Sequence, residues 1–149
     1  MLGRVAGLSL LDWRYLVIAV KELLFARVLH ATQPTGRILR KLQDVRSPPS
    51  DPPGAIDVTR LAWAIGVVAA RVPWRSDCLV KVMAADRWLR RGQLCPEFFL
   101  GVGKNPRDGI MAHAWLRCND VVVTGAFSDQ YTLLIEPREH QSQQTGISR

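Results

Sequence analysis

Cysteine is scarce in this chain, and the few present do not pair. Three cysteines among 149 residues are an odd number, and none sits in a C-x-x-C pair. A disulfide framework and a structural zinc site are both disfavoured. Long hydrophobic runs are also missing. Tyr15–Val20 and Leu23–Ala26 are apolar, but Lys21 and Glu22 divide them, and Asp12 and Arg14 stand just before. The run falls far short of the ~20 residues a spanning helix needs. No small-x-small cleavage site follows, which argues against a signal peptide. Acidic residues are the minority charge: 13 Asp and Glu face 20 Lys and Arg, for a net charge of +7. That excess of cations raises three partner classes: nucleic acid, anionic lipid, and an acidic peptide or protein.

What is present is the material of one globular domain. Hydrophobic residues make up 48% and charged residues 22%, and a chain of this length buries enough surface to fold without disulfides or metal. Reduced thiols and a cytoplasmic location are the expectation. Ser9–His30 reads as a long helix, capped by Ser9 or Asp12 and ended by Gln33-Pro34-Thr35-Gly36. Its expected setting is a buried helix with a narrow polar stripe of Asp12, Arg14, Lys21, Glu22 and Arg27. Attachment to a membrane surface is the alternative, helped by the basic charge. Arg37–Val45 reads as a short basic helix. Residues 1–46 thus form a helical segment packing on the core. Four prolines between Ser47 and Gly54 make 47–54 a loop. A helix then starts at Asp57-Val58-Thr59 and runs to about Val72, where Pro73 stops it.

Leu79–Arg91 reads as a helix with Leu79, Val82, Met83 and Leu89 on one face. Lys81, Arg87, Arg90 and Arg91 fall mostly on the other, expected to be solvated, and Gly92 closes it. After Pro96 the periodicity shortens. Phe98–Val102, His113–Cys118, Val121–Thr124 and Tyr131–Ile135 read as strands. Helices followed by a small antiparallel sheet make an α+β fold, with the core over residues 55–138 and a polar tail, 139–149, expected to be disordered.

Two places carry chemistry. Ser76 or Asp77 is a good N-cap, which puts Cys78 in the first turn of its helix. Unpaired N–H groups and the helix dipole favour a thiolate there. Asp77 opposes a second negative charge, and Arg75 is placed to offset it. Cys95 and Cys118 lack any activating feature and read as inert thiols. On the strand Met111-Ala112-His113-Ala114-Trp115-Leu116, alternation puts His113, Trp115 and Arg117 on one face. A helix-starting cysteine followed by a strand histidine matches nucleophile and base in papain-like and transglutaminase-like cysteine enzymes. His30 and His140 lack such a setting.

The elements Trp74-Arg75-Ser76-Asp77-Cys78-Leu79 and Ala112-His113-Ala114-Trp115-Leu116, with Phe99-Leu100-Gly101-Val102 between them, resemble the leader peptidases of lasso-peptide biosynthesis. These belong to the transglutaminase-like cysteine protease superfamily. The similarity is densest from Val72 to Leu134. It implies a protease that removes the leader from a ribosomally made precursor peptide, after which a separate ATP-dependent cyclase closes a macrolactam. Fused members of that family carry a leader-recognition domain before the protease. Nothing before Ser9 could form one, so the chain resembles the split version, and a separate leader-recognition protein is the expected partner.

The family's third catalytic member, an aspartate, lies across the hairpin from the histidine. Here Asn119-Asp120 reads as a two-residue turn, pairing Cys118 with Val121 and, counting outward, His113 with Ala126. Asp120 is seven residues from His113, about 23 Å at strand rise. Asp129 lies three residues past the paired position, about 10 Å along an extended strand, and a bulge at Gly125 would return it. Asp129 is favoured over Asp120; Thr124 or a backbone carbonyl is the alternative orienting group. The expected oxyanion donor is the backbone N–H of Cys78. Trp74 and Trp115 flank the site as core or as groove walls. No metal or cofactor is implied. A transglutaminase-like acyl transferase or amidase, and a basic non-enzymatic binding module, are the other readings. Nucleic acid is not expected, because no helix-turn-helix, RNP or zinc signature is present.

Overall fold

The computed structural model describes residues 7–44, 56–105, 109–125 and 131–137. The Pro-rich segment 47–54, the tail 139–149, Ala126 and Asp129 lie outside them. Four helices come first: α1 (Leu10–Thr32), α2 (Thr35–Gln43), α3 (Val58–Ala69) and α4 (Cys78–Arg91). Four strands follow: β1 (Glu97–Asn105), β2 (Gly109–Cys118), β3 (Val121–Thr124) and β4 (Tyr131–Ile135). They form one antiparallel sheet in the order β3-β2-β1-β4. The α+β expectation holds.

The helix starts follow their capping chemistry. Ser9 and Asp12 close a reciprocal capping box on α1, the Ser9 hydroxyl accepting from the Asp12 N–H at 3.1 Å and the Asp12 carboxylate from the Ser9 N–H at 2.9 Å. Asp57 caps α3 by accepting from the Arg60 N–H at 2.9 Å. Gly92 ends α4. Some boundaries differ from the sequence expectation. Pro34 caps α2, so Thr35 and Gly36 begin that helix instead of ending α1. α3 stops at Ala69, before Pro73 is reached. β1 and β2 run longer than expected because they pair with each other along their whole length, Glu97 opposite Arg117 through Asn105 opposite Gly109.

The layers explain what is buried. α3 and α4 pack on β2 and β3, and α1 packs on α3 and α4. α4 therefore sits between α1 and the sheet, and every residue from Val82 to Asp86 is buried. Leu23, Leu61, Ile65, Val80, Val82, Leu89 and Leu116 form the centre of the core.

This burial overturns two expectations about charge. The basic run of α4 is not a solvated face. Arg87 and Arg91 both donate to Glu22 of α1, at 2.8 and 3.2 Å, and Glu22 is only 2% exposed. Arg90 donates to Asp86 at 2.7 Å and to the carbonyls of Asp44 and Leu42 at 2.9 and 3.3 Å, tying α4 to the end of α2. α4 lies between α1 and the sheet, so its arginines find carboxylates and carbonyls, while the Arg91 side chain stays largely exposed. The polar stripe expected on α1 is split: Arg14 and Lys21 stay exposed while the acids turn inward. Glu22 faces inward, Asp12 pairs with Arg60 of α3 at 3.2 Å, and much of the apolar surface of α1 faces outward.

Candidate functional site

Cys78 is the first residue of α4, directly after the N-cap Asp77. The first intrahelical bond runs from the Lys81 N–H to the Asp77 carbonyl at 3.1 Å. The N–H groups of Cys78, Leu79 and Val80 precede it and belong to the orphan donors of the helix start. The Asp77 side chain makes no capping hydrogen bond. Its carboxylate therefore does not consume these donors. Cys78 is half-buried and packs against the core.

The other two thiols differ. Cys118 is 1% exposed, and burial, reinforced by Cys95 and Glu97, pushes its thiol up to about 11. That keeps it protonated and inert at neutral pH. Cys95 is exposed at the entrance to β1.

His113 lies in β2 opposite Gly101 of β1. Its neighbours Ala114 and Leu116 enter the core, which leaves His113 and Trp115 on the opposite face of the strand. There a stack of rings crosses three strands. The imidazole lies 5.1 Å from the Tyr131 ring and 5.9 Å from Trp115, and Trp115 stacks on Phe99 at 5.7 Å. Trp115 is only 2% exposed, so it is a floor beneath the histidine. Burial, with a further contribution from the Lys81 ammonium, holds the His113 pKa below its usual value of 6.5. The neutral imidazole, the form a general base needs, is thereby favoured.

Lys81 stands three residues after Cys78, on the same side of α4 and one turn in, and its charge adds to the lowering of the His113 pKa. α4 packs on β2, the strand that carries His113. Among the described residues no hydrogen bond joins Cys78 to His113. Glycine clears the ground beside the imidazole. Gly125 has φ +79°, and a Cβ there would stand 2.7 Å from the Trp115 Cβ, 3.1 Å from the Ala114 carbonyl oxygen and 3.2 Å from His113 Nε2.

The turn after β2 takes the expected form: Asn119 and Asp120 both have positive φ, 49° and 62°, and Cys118 pairs with Val121. Simple outward counting fails beyond it. A bulge sets Leu116 opposite Thr124, where even pairing would give Val123, so the inferred pairing of His113 with Ala126 does not follow. Asp120 lies in the turn that follows Cys118, at the far end of β2 from His113. Asp129 lies outside the described residues. The Thr124 hydroxyl is buried with no hydrogen-bond partner, as are the Ser76 hydroxyl and the indole N–H of half-buried Trp74 just before Cys78. No group of His, Cys, Asp and Glu able to hold a metal ion occurs among the described residues.

Sequence reasoning missed Tyr131 as a neighbour of His113. Tyr131 reaches His113 only because β4 pairs with β1, a non-sequential neighbour. Nothing local in the sequence signals that pairing.

A cysteine at a helix start and a histidine on an adjoining antiparallel strand are residue types that cysteine enzymes use as nucleophile and base. A profile of the Transglutaminase-like superfamily matches residues 20–136, and the chain belongs to that superfamily. Its members are typically cysteine peptidases or acyl transferases. Comparison with curated proteins and with solved structures gave no match.

Proposed function

We propose that this chain is a cysteine peptidase that removes the leader from a ribosomally synthesised lasso-peptide precursor. The observation that supports the catalytic part is that Cys78 opens α4 and that α4 packs on β2, the strand that carries the half-buried His113. The lasso precursor as substrate rests on the resemblance of the Ser76-Asp77-Cys78-Leu79 and Ala112-His113-Ala114-Trp115 elements.

His113 takes the proton of Cys78, and the thiolate attacks the scissile carbonyl. The tetrahedral oxyanion is met by the backbone N–H of Cys78. Collapse of that intermediate breaks the C–N bond as His113 returns the proton to the leaving amine. Water, deprotonated by His113, then hydrolyses the thioester and frees the thiol. Asp129 is the proposed third member, orienting the imidazole. A separate leader-recognition protein presents the precursor, and an ATP-dependent macrolactam cyclase uses the freed amine.

The test has two parts. A peptide vinyl sulfone should add to Cys78 alone, read by intact mass and peptide mapping, and His113→Ala should suppress the adduct. A lasso precursor mixed with its leader-binding protein and this chain should give two fragments whose masses sum to that of the precursor plus one water. A single adduct with an amine acceptor would make the chain an acyl transferase. No Cys78 adduct with or without the partner would overturn the cysteine-enzyme reading.

A further inference from the structure

α1 is the outermost layer of the described fold, and its outward side is apolar. Leu10, Trp13, Val17, Val20 and Leu24 recur at spacings of three and four, with Val28 one turn beyond, so they form one stripe along the helix. All six are exposed; Val17 is 65% and Val28 54% accessible. The stripe is about 27 Å long at helical rise. It is separate from the inward side, where Tyr15, Ala19, Leu23 and Ala26 meet the core.

Charge along this helix is sorted by side. Its two acids point inward, Asp12 to Arg60 and Glu22 to Arg87 and Arg91. Arg14 and Lys21 are exposed beside the stripe, and half-buried Arg27 lies on its other margin. The outward half of α1 therefore presents apolar side chains bordered by cations alone. The whole chain adds a net charge of +7. No helix of the described residues is long and apolar enough to cross a membrane.

We infer that the outward face of α1 is a docking surface for an anionic lipid bilayer. The helix lies in the interfacial plane, with Trp13, Val17 and Leu24 inserted at the level of the acyl-chain boundary and Arg14 and Lys21 on the phosphates. A convex ridge of apolar residues with aliphatic-stemmed cations at its margins matches an interface that is apolar within and negatively charged at its surface. A second copy of the same face would bring like cations together, which disfavours self-pairing. The inference needs no substrate and is independent of the peptidase reading.

Vesicle co-sedimentation of the full chain tests it. The chain should sediment with phosphatidylcholine–phosphatidylglycerol vesicles at 3:1, far less with phosphatidylcholine alone, and be released by 0.5 M salt. Val17→Asp with Leu24→Asp should lower partitioning at least about tenfold, since buried apolar area is lost. Arg14→Gln with Lys21→Gln should lower it roughly 25-fold, about fivefold per cation near an anionic surface. Both sites are solvent-facing, and far-UV circular dichroism checks that the variants fold. Brominated lipid gives an independent reading: it should quench tryptophan emission of the parent chain, and Trp13→Phe should remove most of that quenching. Three results would overturn the inference. One is no lipid-dependent sedimentation at low salt. Another is binding that the Val17/Leu24 pair leaves unchanged. The third is a dimer, or a complex with an acidic protein helix, broken by that pair in a chain that ignores vesicles.

Discussion

Glu22 of α1 accepts a hydrogen bond from Arg87 of α4 at 2.8 Å from a position that is almost wholly buried. Arg91 shares the same carboxylate at 3.2 Å, and Arg87 also lies 3.6 Å over the Phe25 ring. This one acid fastens the outer helix to the helix that carries Cys78. Both arginines retain solvent exposure, at 32% and 56% of their side chains, so they can reach water if it is removed. Glu22→Ala should therefore cost about 1–3 kcal/mol, less than a fully buried pair would. Glu22→Leu should cost less again, because an apolar side chain refills the space. Urea unfolding of the three chains reads this order directly.

Thiol reactivity should separate Cys78 from Cys118. Iodoacetamide followed by peptide mapping is expected to label Cys78 in the folded chain, and His113→Ala should slow that labelling by an order of magnitude or more, the scale of general-base assistance being about 10²–10⁴. Cys118 should label only after unfolding, since its thiol is buried and raised to about 11. Labelling of Cys118 at neutral pH in the native state would contradict the burial described.

The pH dependence has a definite sign. The His113 pKa is lowered, chiefly by burial and further by Lys81. The folded chain then binds fewer protons than the unfolded one in the interval just below 6.5, so stability should rise with pH through that interval and fall as pH drops through the folded pKa. The acid limb of kcat/KM should likewise lie below 6.5. Lys81→Met removes a cation and should move that limb up in pH, by a minor amount because burial is the larger cause. A limb that moves down would remove Lys81 from the site.

Gly125 should not tolerate a side chain. Gly125→Ala meets a left-handed backbone, costing about 1–2 kcal/mol by itself, and sets a methyl 2.7 Å from the Trp115 Cβ. That atom is fixed to β2 and cannot swing aside. The expected result is a lower Tm together with loss of peptidase activity beyond what the fraction folded explains, because the same methyl lies 3.2 Å from His113 Nε2.

Much of the fold was legible residue by residue. Ser9 and Asp57 start helices because a short polar side chain meets orphan N–H groups locally, and Asn119-Asp120 turns the chain because two residues accept positive φ. Cys78 was placed at a helix start by the same local rule. His113 and Trp115 were assigned to one face by alternation, and the ring stack bears that assignment out. The bulge opposite Leu116 was not legible: a two-residue turn fixes register only at its own end, and one extra residue shifts every pairing beyond it.

The sequence by itself thus determined what lies within a turn or two of each residue: the caps, the strand faces, the hairpin turn, and the positions of Cys78 and His113 on their own elements. Only the tertiary structure decided which charges are buried and that Tyr131 lies against His113. It also decided that α1 turns its apolar stripe outward and its Glu22 inward. The physical reason is the same in each case. Helix period and strand alternation say which residues share a face, but whether that face meets solvent, core or a third element depends on layers brought together from distant parts of the chain. α1 carries apolar residues nearly all round, so its own pattern could not choose, and the pairing of Glu22 with Arg87 and Arg91 made the choice.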